Sequence, residues 1–111
     1  MPVCYVKTNL KESEVPEGFE GRLAEAISSI LKKEIKYIFA VVEYGLRMSN
    51  AESTSPTCVV QIHSKAAFDA EKNPEYTRQF NEFIKKELGV PGDRIVFLYC
   101  PVEDHNGAIG N

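Results

Sequence analysis

The sequence is poor in cysteine and histidine, and neither residue type is spaced as a metal site or a disulfide framework would require. The three cysteines, Cys4, Cys58 and Cys100, include no C-x-x-C pair, and an odd number cannot all pair within one chain. The two histidines, His63 and His105, lack cysteine or carboxylate neighbours at zinc-ligand spacing. We therefore expect that the protein binds no metal. We also expect its cysteines to act as small buried hydrophobic residues within strands.

Long hydrophobic runs, an excess of basic residues and nucleotide-binding motifs are also missing. No apolar run approaches the roughly 20 residues that span a bilayer, and no basic segment at the N-terminus leads into an apolar stretch. The net charge of −3 argues against a nucleic-acid partner. The chain has no P-loop and no G-x-G-x-x-G sequence. These absences predict a soluble cytosolic protein without nucleic-acid or membrane partners.

The chain of 111 residues is predicted to form one domain that repeats one order of elements, over about 1–46 and 57–100. In the first half, Val3–Thr8 and 37–44 are rich in β-branched and aromatic residues and predict strands. Between them, a segment opened by Val15-Pro16-Glu17-Gly18 predicts a helix, because its apolar residues recur at helical spacing. These apolar residues are Leu23, Ala26, Ile27, Ile30 and Leu31.

The second half follows the polar loop 47–56 with strand 57–62, a helix and strand 94–100. Asn73 is predicted as the helix N-cap with Pro74 in the first helical position, and Gly89 as the C-terminal cap. When the two halves are aligned with each other, Pro16-Glu17 corresponds to Pro74-Glu75, 58 positions later. The apolar stripe of this helix consists of Tyr76, Phe80, Phe83, Ile84 and Leu88.

Two β-α-β units predict an α+β fold, with a four-stranded mixed sheet and both helices on one face. The strands are apolar almost throughout, so the second face of the sheet also requires cover. One chain has no further helices for that face, which predicts that other copies cover it. A charge on this face, for example Val60→Asp, is expected to be strongly destabilising.

Several short sequences occur at the spacing of one known family, without a gap from residue 1 to about residue 100. They are Met1-Pro2, Thr8-Asn9, Val15-Pro16-Glu17-Gly18-Phe19, Lys33, Tyr37-Ile38, Ser55-Pro56, His63-Ser64, Asn73 and Asp93-Arg94. In these features the chain resembles the macrophage migration inhibitory factor and D-dopachrome tautomerase family. The resemblance implies a homotrimer and a cofactor-independent keto-enol tautomerase of the phenylpyruvate or dopachrome type, acting on small keto acids.

The resemblance also implies roles for individual residues. Pro2, once Met1 is removed, would be the general base, because a neutral secondary amine can take a proton from the carbon beside a carbonyl. Lys33 would bind the substrate carboxylate, and Tyr37 would lie either at the pocket edge or in the core. Without the resemblance, Pro2 would only start an edge strand, and Lys33 would be a solvated charge at a helix C-terminus.

The chain departs from the family pattern in four places. Glu34 stands where a proline is usual, Lys65-Ala66-Ala67-Phe68 lacks the usual glycines, and Val96 and Leu98 replace polar pocket residues. The family's glycine-rich C-terminal sequence is missing, so 101–111 is predicted to be a short flexible tail. Lys65 is expected either to join Lys33 in the pocket, where two cations would lower the pKa of Pro2 and favour carboxylate substrates, or to point to solvent.

Two other functions are consistent with the sequence. One is a secreted, cytokine-like signalling trimer with a cell-surface receptor and a weak or vestigial tautomerase pocket. The other is a ferredoxin-like ligand-binding or regulatory domain of different ancestry. The sequence predicts cytoplasmic residence, and the resemblance implies release without a signal peptide. A phenylpyruvate assay would separate the first function from the second, and light scattering would separate both from the third.

Overall fold

Two β-α-β units follow one another in a computed structural model, which describes residues 1–110. The first unit consists of β1 (Val3–Thr8), α1 (Phe19–Leu31) and β2 (Phe39–Glu43). The second consists of β3 (Cys58–Ser64), α2 (Asn73–Leu88) and β4 (Ile95–Pro101). One-turn 3₁₀ helices, Ile35–Tyr37 and Gly92–Arg94, precede β2 and β4. The second strand thus begins at Phe39 rather than at the predicted position 37, because the preceding residues form this turn.

The four strands form one mixed sheet in the order β2-β1-β3-β4. Each unit pairs its own two strands in parallel, whereas β1 and β3 pair antiparallel at the centre. The α+β prediction is confirmed. A crossover helix joins the strands of each unit, since two parallel neighbours cannot be connected by a tight turn.

Both helices bury their apolar stripes against the same face of the sheet. The buried residues of α1 are Phe19, Leu23, Ile27 and Leu31, and those of α2 are Phe80, Ile84 and Leu88. They form a single core with the inward side chains of β1 and β3, namely Cys4, Val6, Cys58, Val60 and Ile62. Among residues 1–110, neither helix has the length and apolar character of a membrane span.

The start of α2 differs from the prediction by one residue. Asn73 is the first helical residue rather than the N-cap, and its Oδ1 accepts a hydrogen bond from the Asp69 backbone N–H. Asp69 itself accepts the N–H groups of Glu71 and Lys72. The side chain that satisfies these backbone donors therefore comes from the preceding turn. Pro16 precedes α1 whereas Pro74 lies within α2, so this part of the repeat alignment was wrong.

The open face of the sheet carries both apolar and polar side chains. Phe39, Val96 and Leu98 on the edge strands are 45–47% exposed, and the alternating strands β1 and β3 add Val3, Tyr5, Lys7, Val59, Gln61 and His63 on this side. The prediction of strands that are apolar almost throughout was therefore wrong for Lys7, Gln61 and His63. Val60 is only 1% exposed and lies on the helix side, so it cannot serve as a probe of the open face.

The internal repeat is preserved in backbone hydrogen bonds beyond the strands. The N–H of Leu46, after β2, donates to the Thr8 carbonyl, and the N–H of Val102, after β4, donates to the Ser64 carbonyl. Lys32 and Gly89 end the two helices in the same left-handed conformation. The two halves therefore have equivalent backbone positions, which permits a direct comparison of their side chains.

The C-terminal segment, predicted to be a short flexible tail, contains local structure. Pro101 belongs to β4, and Asp104–Asn106 forms a 3₁₀ turn. The Val102 hydrogen bond to Ser64 holds this segment against the end of β3. Residue 111 lies outside the described residues.

Candidate active site

Pro2 lies at the end of the sheet where β1 begins, and its side chain is fully buried. Val3 pairs with His63 across the antiparallel strands, so Pro2 lies beside Ser64 at the end of β3. The Pro2 carbonyl accepts the N–H of Phe39, the first residue of β2. The hydrogen bond to β2 therefore fixes the Pro2 backbone at this end of the sheet, beside β3.

Lys33 comes to the same end of the sheet because of the way α1 ends. Lys32 adopts a positive φ of 59°, which turns the chain out of the helix in the conformation that commonly terminates helices. Ser28 then holds Lys33 from both sides, since its carbonyl accepts the Lys33 N–H and its hydroxyl donates to the Lys33 carbonyl at 2.6 Å. The Lys33 Nζ donates to the Lys65 carbonyl at 3.2 Å.

Lys65 directly follows β3 and is half-buried. Its Nζ donates to the backbone carbonyl of Asp104 in the C-terminal segment at 3.1 Å. The next residue, Ala66, has a φ of 50°, so this turn adopts a left-handed backbone without the glycine that usually provides it. The altered 65–68 loop thus still places Lys65 beside Lys33.

These two lysines create a positive environment at the amino terminus. Desolvation lowers the pKa of the Met1 amino group below its ordinary value, and the positive charges of Lys33 and Lys65 lower it further. Among residues 1–110, neither lysine forms an ion pair. Their only hydrogen-bond partners here are backbone carbonyls, which orient an ammonium group without neutralising its charge.

Tyr37 is not packed in the core. Its side chain is 43% exposed, and the Lys36 Nζ lies 5.1 Å from the centre of its ring. It lies two residues before Phe39, at the same end of the sheet as Pro2. The structure therefore excludes a core position for Tyr37 but shows no contact with Pro2 or Lys33.

The C-terminal segment also lines this site, which the sequence did not indicate. A Cβ added to Gly107 would lie 2.5 Å from Met1 Cε, 3.1 Å from Val102 Cγ1 and 3.9 Å from Lys65 Cε. A side chain at position 107 would therefore require the end of the flexible Met1 side chain to move. No sequence pattern relates residues 102–107 to the N-terminus, because the contact depends on where β4 ends in the sheet.

Other potential sites lie elsewhere or lack suitable chemistry. A cavity of about 670 Å³ follows the outer edge of β2, far from Pro2, and its lining includes Pro16, Gly18, Val41 and Tyr44. Cys4 and Cys58 are buried as predicted, whereas Cys100 is only partly buried. Burial raises the pKa of the Cys4 thiol to about 12, so it stays protonated at neutral pH. Residues 1–110 contain no cluster of three potential metal ligands.

Sequence comparison identifies relatives along nearly the whole chain. The family described as macrophage migration inhibitory factor (MIF) matches residues 1–110. The MIF-like protein mif-2 of Caenorhabditis elegans is 34% identical over 99 residues, which cover 89% of this chain and 82% of the relative. D-dopachrome decarboxylase of Mus musculus is 32% identical over 104 residues, covering 93% of this chain and 88% of the relative.

Structure comparison leads to the same group of proteins. The macrophage migration inhibitory factor of Trichinella spiralis superimposes with a TM-score of 0.93 at 19% identity, covering 96% of this chain and 95% of that one. The factor from Oncomelania hupensis has the same TM-score at 22% identity, covering 98% of this chain and 79% of that one. At these identities the similarity establishes the fold alone.

Proposed function

The chain belongs to the macrophage migration inhibitory factor family, and from this premise we propose that it is a cofactor-independent keto-enol tautomerase of small keto acids. The amino-terminal nitrogen of Pro2 would be the general base, after removal of Met1. Lys33 would bind the substrate carboxylate, Lys65 would add a second positive charge to the substrate pocket, and Tyr37 would lie at the pocket edge. The proposal includes a homotrimer and cytoplasmic residence, with release that requires no signal peptide.

The observation that carries this proposal is the convergence of Pro2, Lys33 and Lys65 at one end of the sheet. An amine beside two uncompensated ammonium groups is disfavoured in its protonated form, because like charges repel. The lowered pKa of the Met1 amino group has this cause in addition to desolvation. The pKa of a Pro2 amine in the same surroundings would likewise be lowered, which favours the neutral form that can accept a proton.

The reaction needs only one base and one anion-binding site. The neutral Pro2 nitrogen removes the proton from the enol oxygen at C2, and the electrons of that O–H bond form the carbonyl. The electrons of the carbon–carbon double bond then take the proton back from the protonated amine at C3. The Lys33 ammonium holds the carboxylate and so fixes the distance from the enol to Pro2. No electrons are gained or lost, so the step requires no co-reactant.

The experiment is a phenylpyruvate tautomerase assay on protein whose N-terminus is shown by mass spectrometry to be Pro2. One alanine added before Pro2 converts the amine into an amide without useful basicity. We expect turnover to fall by about 10²–10⁴-fold, the usual contribution of general acid-base catalysis, while the melting temperature changes little. The matched control is one alanine added at the C-terminus. If the N-terminally extended protein keeps its rate, Pro2 is not the base.

The homotrimer is supported by the apolar edge strands of the open face. Phe39 on β2 and Val96 and Leu98 on β4 leave large apolar side chains exposed in a single chain, and exposed apolar surface of this size is typical of an interface. Light scattering should give three times the chain mass at micromolar concentration. Val96→Asp should lower that mass without unfolding the chain, because the side chain lies outside the core. A folded monomer of the unmodified protein would contradict this part of the proposal.

A lyase reaction at the same site is a second candidate, since one relative is named D-dopachrome decarboxylase. Loss of carbon dioxide and proton transfer both pass through an enol-like species that a cationic site would stabilise. The two reactions are separated by measuring carbon dioxide release and enol consumption in the same sample. Consumption of the enol without carbon dioxide identifies the tautomerase.

A cytokine-like signalling trimer with a vestigial pocket and a cell-surface receptor is the third candidate. It is favoured by the altered 65–68 loop and by the C-terminal segment, which packs against Met1. Signalling rather than catalysis would be supported by two results together. Protein whose N-terminus is Pro2 would show a tautomerase rate no higher than the uncatalysed rate, and it would bind saturably to cells.

A further inference from the structure

Lys33 and Lys65 differ in how each can meet a bound anion. The Lys33 ammonium lies inward and donates to the Lys65 carbonyl, whereas the Lys65 ammonium lies outward and donates to the Asp104 carbonyl. Each ammonium has three donors, so each retains donors for a ligand. The two ammonium groups contact different acceptors and pair with no carboxylate within residues 1–110, so each is available to a separate anionic group of a ligand.

The space between these ammonium groups is marked by Met1. Its side chain extends to Gly107 and Val102, close to the Lys65 side chain, and its amino group is influenced by both lysines. Removal of Met1 would therefore open a space of about one residue next to Pro2, lined by the C-terminal segment. A methionine residue and a four-carbon 2-keto diacid have nearly the same number of non-hydrogen atoms, whereas phenylpyruvate is larger.

We propose that the preferred substrates are short 2-keto acids with a second carboxylate, which Lys33 binds at one end and Lys65 at the other. This inference rests on the proposed tautomerase function and specifies its substrate class. Lys65 is the specificity-determining residue, because a monoacid needs only Lys33. The neighbouring carboxylate of Glu103 does not neutralise the charge of Lys65, because it lies beside His105 instead.

The chemistry is the same balanced proton transfer. In the enol of such a diacid, Pro2 removes the proton from the oxygen at C2 and returns it to C3, which regenerates the ketone. C3 lies between C2 and the second carboxylate, so a diacid held at both ends places the accepting carbon at a fixed position. A monoacid held at one end can rotate, and its C3 is less well positioned.

The experiment compares two enols, those of oxaloacetate, a diacid, and of phenylpyruvate, a monoacid, on protein whose N-terminus is Pro2. The pH is set well above the range in which kcat/KM falls on acidification, so that protonation of Pro2 does not affect the comparison. We expect kcat/KM for oxaloacetate to exceed that for phenylpyruvate by about tenfold or more, equivalent to roughly 1.4 kcal/mol. Lys65→Met should abolish this preference by lowering kcat/KM much more for oxaloacetate than for phenylpyruvate. Lys65→Arg should restore the preference, and Lys86→Met, an exposed lysine on α2, should leave both values unchanged.

Equilibrium binding provides a readout that does not depend on turnover. Succinate should bind the wild type more tightly than butyrate, and Lys65→Met should make the two affinities equal. Activity toward phenylpyruvate with no preference for oxaloacetate or succinate would overturn the inference and leave the proposed function intact. Absence of turnover with both enols would overturn the proposed function. In that case, succinate binding that depends on Lys65 would still support the two anion positions, and equal binding would contradict them.

Discussion

At one end of the sheet β1 begins beside the end of β3, and at the other end β3 begins beside the end of β1. We name these the site end and the loop end. The repeat relates Pro2, before β1, to Cys58, at the start of β3, just as it relates Thr8 to Ser64. It likewise places Lys33 after α1 and Val90 after α2, because each follows the left-handed residue that ends its helix. The two ends thus share a backbone arrangement and differ in their side chains.

At the loop end, polar groups have internal partners. The Thr8 hydroxyl donates to the Thr57 carbonyl at 2.9 Å, and the Thr57 hydroxyl donates to the Arg94 carbonyl at 2.7 Å. Asn9 accepts the Thr57 N–H. The Arg94 guanidinium donates to four carbonyls of the loop, at Asn50, Ser53, Ser55 and Pro56. This network closes the loop end, and Val90 is buried beneath it at 1% exposure.

At the site end, the corresponding positions carry charge without a charged partner among the described residues. Lys33 and Lys65 donate only to backbone carbonyls, and the Ser64 hydroxyl, the counterpart of that of Thr8, has only a long contact of 3.5 Å to the Lys65 carbonyl. The loop end therefore stabilises the fold through its internal hydrogen bonds. The site end instead leaves two ammonium groups with free hydrogen-bond donors. Three predictions test this contrast.

Exchanging the residues that follow the helices should have the largest effect. Val90→Lys places an unpaired ammonium in the core, which typically costs about 3–5 kcal/mol of unfolding free energy. Its reciprocal control, Lys33→Val, should change stability by only about 0.5 kcal/mol, because Lys33 is half-buried and has no ion pair. Urea denaturation measures both. Similar costs for the two variants would show that the ends are not different in this respect.

Removing the hydroxyl at the two equivalent strand ends should have an intermediate effect. Thr8→Val leaves the Thr57 carbonyl and the Leu10 N–H without their hydroxyl partner in a fully buried position, at a cost of about 1–3 kcal/mol. Ser64→Ala removes only a weak contact and should cost less than about 1 kcal/mol. The melting temperatures of the two variants provide the test, and a larger loss for Ser64→Ala would contradict the asymmetry.

The smallest effect is expected in the pH profile of Lys65→Met. In the proposed mechanism Pro2 acts in its neutral form, and the Lys65 charge would disfavour the protonated form and so lower the pKa of the Pro2 amine. Without Lys65 the pKa rises, and the acidic limb of kcat/KM for phenylpyruvate should move to higher pH by up to about one unit. Lys65→Arg should keep the natural profile. An unchanged limb in Lys65→Met would mean that Lys65 does not influence the base, and Lys33 alone would account for the depression.

Much of the fold followed from periodicity. The apolar stripes of both helices and all four strands were predicted, because burial on one face imposes a spacing that can be observed without coordinates. Helix ends were harder to predict. Asn73 and Pro74 match the usual cap sequence, but Asp69 in the preceding turn satisfies the backbone donors instead.

The residues Pro2, Lys33 and Lys65 were identified through the family resemblance, since a proline at position 2 and two lysines are common on any surface. Their proximity was not visible in the sequence. It depends on the antiparallel register of β1 and β3, which brings positions 2 and 64 together, and on the left-handed end of α1, which directs Lys33 there.

The order of elements and the buried side of each helix could be predicted without coordinates, because helical periodicity is a local property. The face that each residue of the apolar segment Cys58-Val59-Val60 occupies depends on the strand register, since adjacent valines fit either side of a strand. The packing of the folded chain also places Gly107 against Met1 and Asp104 against Lys65. These contacts join distant parts of the chain, and their formation depends on strand order rather than on any local preference.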